Sequence, residues 1–147
     1  MSPPPPTNPP LRVLVVDDHD VVRLGVRHLL GARATVREAS GVAGALALLA
    51  QAPADLLLLD LSLGEDFGLT ALPRLKAACP GMRVLVLSSL AEDLYAERAL
   101  KAGAEGYVSK SALAGTLLAA VDQVLAGRVY VSPAVGEALL RRLTAGP

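Results

Sequence analysis

The chain has 147 residues, with 14 Lys and Arg against 14 Asp and Glu for a formal net charge of zero, and 52% of it is hydrophobic. That length is enough for one domain to bury a core without disulfide or metal staples, and the balanced charge excludes an overall electrostatic footprint for nucleic acid or anionic membrane. The single Cys79 has no partner for an internal bridge and reads as a small packed hydrophobe; with no zinc spacing among Cys and His, the composition suits a reducing, cytoplasmic setting.

Residues 1–10 hold Pro3 to Pro6, Pro9 and Pro10, without the basic start or apolar stretch of a signal peptide. With little to bury, they read as a disordered, polyproline-like tail. Order is expected from Leu11. Val13 to Val16 form an unbroken apolar strand that ends on Asp17 and Asp18, with His19 and Asp20 after them. Val22, Val26, Leu29 and Leu30 recur at helical spacing, and Gly31 is placed to stop that helix. Thr35 to Ala39 is a short strand. Gly41 to Ala50 is a helix built on Leu46 and Leu49 and closed ahead of Pro53.

Leu56 to Leu59 are four consecutive apolar residues, the pattern of a strand buried on both faces of a parallel sheet, and Asp60 falls where it leaves the core. A lone acid there is also a common cap or turn residue. After a loop over Gly64 to Gly68 comes a helical stripe of Leu69, Leu72, Leu75 and Ala78, then a turn at Pro80 and Gly81. Val84 to Leu87 make a fourth strand ending in Ser88 and Ser89. A polar helix from about Ala91 to Ala102 carries Leu94, Ala99 and Leu100. Gly103 and Gly106 bracket a brief fifth strand through Tyr107 and Val108 that delivers Ser109 and Lys110. The last core helix carries Leu113, Leu117, Val121, Val124 and Leu125. Past Gly127 a short helix holds Val135, Leu139, Leu140 and Leu143, where Leu139 and Leu143 suit either a dimer contact or packing back on the domain. Apolar runs broken by Asp55, Asp60, Asp122 and Arg128 leave no expectation of a membrane span. The alternation predicts an α/β fold: a doubly wound five-stranded parallel sheet flanked by five helices, plus a short C-terminal linker helix.

Such sheets form sites outside the carboxyl ends of their strands. There the chain places Asp17 and Asp18 from the first strand, Asp60 from the third, Ser88 from the fourth and Lys110 from the fifth. Carboxylates this close raise one another's pKa unless a cation intervenes, and hard oxygen ligands fit Mg2+ best. Lys110 adds a point charge and Ser88 a hydroxyl, a set suited to a phosphoryl group, with Asp60 as the nucleophile.

These motifs, VVDDHD, LLLLDLSLG, VLVLSS and GYVSK, resemble the receiver domain of two-component response regulators, over about Leu11 to Gly127. VVDDHDVVRLGVRHLL, ALKAGAEGYVSKSAL and LAAVDQVLAGRVYVSP resemble the NarL/LuxR-type branch, whose outputs are helix-turn-helix domains. The resemblance implies a flavodoxin-like receiver fold over residues 11–127, with 1–10 a tail and 128–147 a linker. It also implies that a sensor histidine kinase or small phosphodonor phosphorylates Asp60. Mg2+ would be held by Asp18, Asp60 and the Ser62 backbone carbonyl, with Asp17 helping through water. Ser88 would swing toward the phosphoryl group, and Tyr107 would turn inward behind it. Without the neighbouring Lys110 motif, Tyr107 reads as a partly buried aromatic at a strand edge.

Two positions depart from the family pattern. Gly64 stands where a proline is usual, which predicts a more mobile loop. Leu90 lies two residues beyond Ser88, where it cannot orient an attacking water, so slow loss of the phosphoryl group is expected. DNA would be reached only through an output domain not present in these residues, and a homodimer fits the family. The alternatives are a single-domain receiver acting by protein contact, a pseudo-receiver, and an aspartyl-phosphate phosphohydrolase. The last generally needs a second acid where Ser62 stands; otherwise the chain is no enzyme beyond reactions at its own Asp60.

Overall fold

A computed structural model describes residues 9–63 and 66–145. The expectations for the tail over residues 1–8 and for Gly64 therefore lie outside the described residues. The elements run β1 (Leu11–Val16), α1 (Asp20–Leu30), β2 (Ala34–Ala39), α2 (Val42–Gln51), β3 (Leu56–Asp60), β4 (Ser62–Leu63), β5 (Asp66–Phe67), α3 (Gly68–Ala78), β6 (Arg83–Ser88), α4 (Glu92–Lys101), β7 (Gly106–Ser109), α5 (Leu113–Leu125) and α6 (Pro133–Thr144). The main sheet has the order β2-β1-β3-β6-β7, and every neighbouring pair is parallel, as the doubly wound reading expects.

The leucine run explains the layering. Successive residues of a strand face opposite sides of the sheet, so β3 serves two cores at once. Leu57 and Leu59 pack with Leu14, Val16, Val86 and the residues of α2 and α3, whereas Leu56 and Leu58 pack with Val13, Val15, Leu85 and the residues of α1 and α5. All four leucines have no exposed surface. At ~1.5–3 kcal/mol for burying a side chain of this size, β3 alone contributes on the order of 10 kcal/mol before conformational entropy is set against it.

Local chemistry sets several boundaries. Gly31 ends α1 with φ 53°, a left-handed angle that side chains disfavour. The stretch read as a loop after Asp60 instead contains a two-stranded antiparallel ladder pairing Ser62 with Phe67 and Leu63 with Asp66. Two-residue strands carry too little periodicity to be read from sequence. The Phe67 ring meets Tyr95 of α4 edge-on at 6.3 Å between centroids. Helix α4, read as polar, buries Ala96 and Ala99 and leaves Leu94 65% exposed. Its small inward residues let the helix lie close to the sheet, and the polar majority hides which face is which.

Past α5 the chain returns to the sheet. Tyr107 N–H donates to Tyr130 O at 2.9 Å and Tyr130 N–H donates to Glu105 O at 3.0 Å, a single parallel bridge on the outer edge of β7. Gly106 permits it, since a Cβ there would stand 2.8 Å from Leu85 Cδ1 and 3.0 Å from Tyr130 O. Ser132 then caps α6, its Oγ accepting from Val135 N–H at 3.3 Å, while its own N–H donates to Glu92 Oε2 at 2.9 Å. Val135 is buried and Leu139 packs against the core, so the linker helix folds back on α4; Leu140 and Leu143 stay 64% and 81% exposed. No described helix is long and apolar enough to cross a membrane.

Helix α6 is held by one buried valine, one half-buried leucine and the Arg142–Glu97 ion pair. Apolar burial outweighs a surface ion pair, ~1.5–3 kcal/mol against less than ~1 kcal/mol. Val135→Asp should therefore speed amide hydrogen exchange over residues 136–144 by about tenfold or more, and Arg142→Ala by less than about fivefold. Equal effects in an exchange measurement would show that charge, not packing, holds the helix.

Candidate functional site

The parallel register brings the carboxyl ends of β1, β3, β6 and β7 to one edge. Asp17 follows β1 and Asp60 closes β3, each 1% exposed, and Ser88 closes β6 with none of its surface exposed. Lys110 follows β7 and directs its ammonium into the gap, Nζ lying 2.8 Å from Asp17 Oδ2 and 3.3 Å from Asp60 Oδ2. The two contacts are charge-assisted, and one ammonium is thereby shared between two buried carboxylates.

The other oxygen of each takes a backbone donor. Asp60 Oδ1 accepts from Ser62 N–H at 3.2 Å, and Asp17 Oδ1 accepts from His19 N–H at 2.8 Å. Burial pushes the Asp60 carboxyl above its ordinary value; the Ser62 N–H opposes the shift, the Asp17 charge adds to it and Lys110 draws it back. Gly68 fixes the chain just beyond Asp60. Its N–H donates to Leu61 O at 2.9 Å, and a Cβ in its place would stand 2.5 Å from the Asp60 carbonyl oxygen. Arg23 of α1 holds the preceding turn through the Asp17 carbonyl and the Asp20 carboxylate.

Asp18 lies on the open side of the cluster with its side chain 36% exposed. Between it and Asp17 sits the His19 ring, Nδ1 being 2.7 Å from Asp17 Oδ1, 3.0 Å from Asp18 Oδ1 and 3.9 Å from Asp60 Oδ2. One ligand atom from each of Asp17, Asp18, His19 and Asp60 lies within 4.8 Å of all the others. With three carboxylates facing one ammonium, the donor set fits a hard divalent cation.

Ser88 and Tyr107 form a second group beside the first, joined through the Leu90 backbone. Ser88 Oγ accepts from Leu90 N–H and the Tyr107 hydroxyl donates to Leu90 O, both at 2.9 Å. Tyr107 is fully buried, its ring inside and not at the strand surface, and burial raises the pKa of its hydroxyl. Thus Asp17, Asp60 and Lys110 meet directly, Asp18 joins them across His19, and Ser62 reaches the site through its backbone N–H. Sequence reasoning passed over His19. Its signal was its place directly after an acidic pair at a strand end, a spacing that here returns the ring over the carboxylates.

The response regulator receiver domain family matches residues 13–122. Among curated relatives, the DNA-binding transcriptional activator DevR/DosR of Mycobacterium tuberculosis is 38% identical over 136 residues, covering 90% of this chain and 63% of its own length. The chain spans 62% and 58% of the first two curated relatives it matches, about three fifths of their length. A two-component response regulator of the LuxR family from Aurantimonas superposes with a TM-score of 0.81 at 29% identity, over 92% of this chain and 99% of that one. A response regulator from Burkholderia pseudomallei, solved with a phosphorylated aspartic acid, a calcium ion and citrate, gives 0.70 at 29% identity, over 93% and 75%. The acidic pair after β1, the buried aspartate closing β3 and the lysine after β7 sit within that matched span, and the chain belongs to the response regulator receiver domains, in their NarL/LuxR-type branch.

Proposed function

We propose that this chain is the phosphoacceptor module of a two-component pathway, taking a phosphoryl group on Asp60 from a sensor histidine kinase or a small phosphodonor. The observation that carries the reading is a buried Asp60 carboxylate whose Oδ2 stands 3.3 Å from the Lys110 ammonium and which shares its cluster with Asp17 and Asp18. A carboxylate oxygen of Asp60 attacks phosphorus, the new O–P bond forms as the bond to the donor breaks, and the donor departs with that electron pair. Lys110 then neutralises charge on the phosphoryl oxygens, and the Ser62 N–H keeps the carboxylate oriented. Mg2+, held by Asp17, Asp18, Asp60 and the Ser62 carbonyl, would offset the charge that collects on the transferred group. The Burkholderia relative, with its phosphorylated aspartic acid and calcium ion, supports the same use of this sheet edge.

Ser88 and Tyr107 are the switch in this reading. A phosphoryl oxygen would draw the Ser88 hydroxyl away from Leu90 N–H, while Tyr107 already occupies the inward position in which its hydroxyl bonds Leu90 O. Residues 11–127 form the receiver and 128–147 the linker, after a tail at 1–10. In a longer protein the linker would lead to a DNA-binding output like that in the name of the Mycobacterium relative; a homodimer and a cytoplasmic location accord with such a regulator. The chain turns over no substrate beyond its own aspartyl phosphate.

Incubation with Mg2+ and acetyl phosphate should give an acid-labile phosphoprotein, and Asp60→Asn should abolish it; phosphoprotein of equal yield from the variant, read by mass spectrometry, would move the acceptor elsewhere. Leu90 is half-buried against the core beside the switch. Leu90→Glu should place a water-orienting group there and speed loss of the phosphoryl group by about tenfold, ~1.4 kcal/mol of barrier. An unchanged decay rate, followed after removal of the donor, would remove Leu90 as its determinant.

A further inference from the structure

We infer that His19 is a further ligand of the cation site, so that this receiver offers a mixed nitrogen and oxygen donor set and favours first-row transition-metal dications over magnesium more than a carboxylate site would. The inference rests on the reading of the acidic cluster as a divalent cation site. It goes beyond that reading by adding a ligand and changing the class of metal the site selects.

Distances carry the first part of the argument. With metal–ligand bonds of about 2.1 Å, octahedral neighbours are separated by ~3.0 Å and opposite ligands by ~4.2 Å. His19 Nδ1 lies 2.7 Å from Asp17 Oδ1, 3.0 Å from Asp18 Oδ1 and 3.9 Å from Asp60 Oδ2, two separations of the first kind and one near the second. Local structure holds the ring there: the His19 N–H donates to Asp17 Oδ1 at 2.8 Å, and Arg23 anchors the turn from below. The side chain is 58% exposed, so packing does not force it onto the carboxylates.

The second part is the crowding of acceptors around the ring. A single hydrogen on Nδ1 can serve Asp17 Oδ1 at 2.7 Å, but not the Asp17, Asp18 and Asp60 oxygens together. A dication placed among these four groups would be faced by all of them, with the ring ligating through Nδ1. Imidazole suits the later first-row metals, whereas Mg2+ prefers oxygen and water.

The test measures binding of Mg2+ and of Co2+ to the full chain by isothermal titration calorimetry, alone and in His19→Ala, with the visible absorption of the Co2+ form as a second readout. The expected result is that the ratio of Co2+ to Mg2+ affinity falls about tenfold in the variant and that the Co2+ bands shift as a nitrogen ligand is lost. An unchanged ratio and spectrum would overturn the inference while leaving the cation site intact. Binding of neither metal to the unaltered chain would overturn the cation reading itself, and this inference with it.

Discussion

Everything at the sheet edge depends on one lysine ammonium standing against buried carboxylates. At 2.8 and 3.3 Å, each Lys110 contact contributes about 5 kcal/mol of attraction at an effective dielectric constant of ~20. The three aspartates, with oxygens within 4.8 Å of one another, repel pairwise by ~3–4 kcal/mol on the same footing. Two attractions and three repulsions nearly cancel. What remains unanswered is the cost of taking Asp17 and Asp60 out of water, and burial is accordingly the largest cause of the upward shift at Asp60. A group that brings positive charge to this edge, or that reacts with the carboxylate, acts on a cost already present in the fold. The leucine-filled strand behind Asp60 makes that cost sustainable.

From this edge, contacts run without a gap to the linker helix. The Leu90 backbone is gripped on one side by Ser88 and on the other by the Tyr107 hydroxyl. The Tyr107 N–H is bound by Tyr130, and two residues later the Ser132 N–H is bound by Glu92 at the start of α4. The strand that carries Tyr107 therefore shares its outer edge with the linker, which also covers backbone groups that an edge strand would otherwise leave open. Contiguity alone sets no coupling energy. Coupling requires two arrangements whose balance both ends bias, and the Ser88–Leu90–Tyr107 group here shows one, with polar partners on both sides of the Leu90 backbone.

The same physics decides what was legible in the sequence. β1, β3 and β6 were plain because strands buried on both faces show unbroken apolar runs, and an acid or hydroxyl at the end of such a run must stand at the sheet edge. Asp17, Asp60 and Ser88 were located that way and Lys110 by its place after the brief fifth strand, and the structure brings the four to one edge. Other features left weaker traces. His19 turns back over the carboxylates only two residues after Asp17, and α4, which packs through alanines, shows no apolar stripe to mark its inner face. The Tyr130 bridge, the ladder between β4 and β5 and the return of α6 are tertiary contacts of short segments, whose own patterns fit several arrangements.

How firmly the linker helix is held bears on what it can do. The five-stranded sheet and its two apolar layers bury residues by the dozen, and no local event of a few kcal/mol rearranges them. Helix α6 rests on Val135, part of Leu139 and one exposed ion pair, a hold on the order of 3–5 kcal/mol. Shifting a two-state balance from one extreme to the other takes about 5.5 kcal/mol. The docking of α6 lies on that scale, whereas the core lies far above it. Among the described elements, the linker helix, packed on α4, is thus the one whose position a free energy of a few kcal/mol is large enough to change.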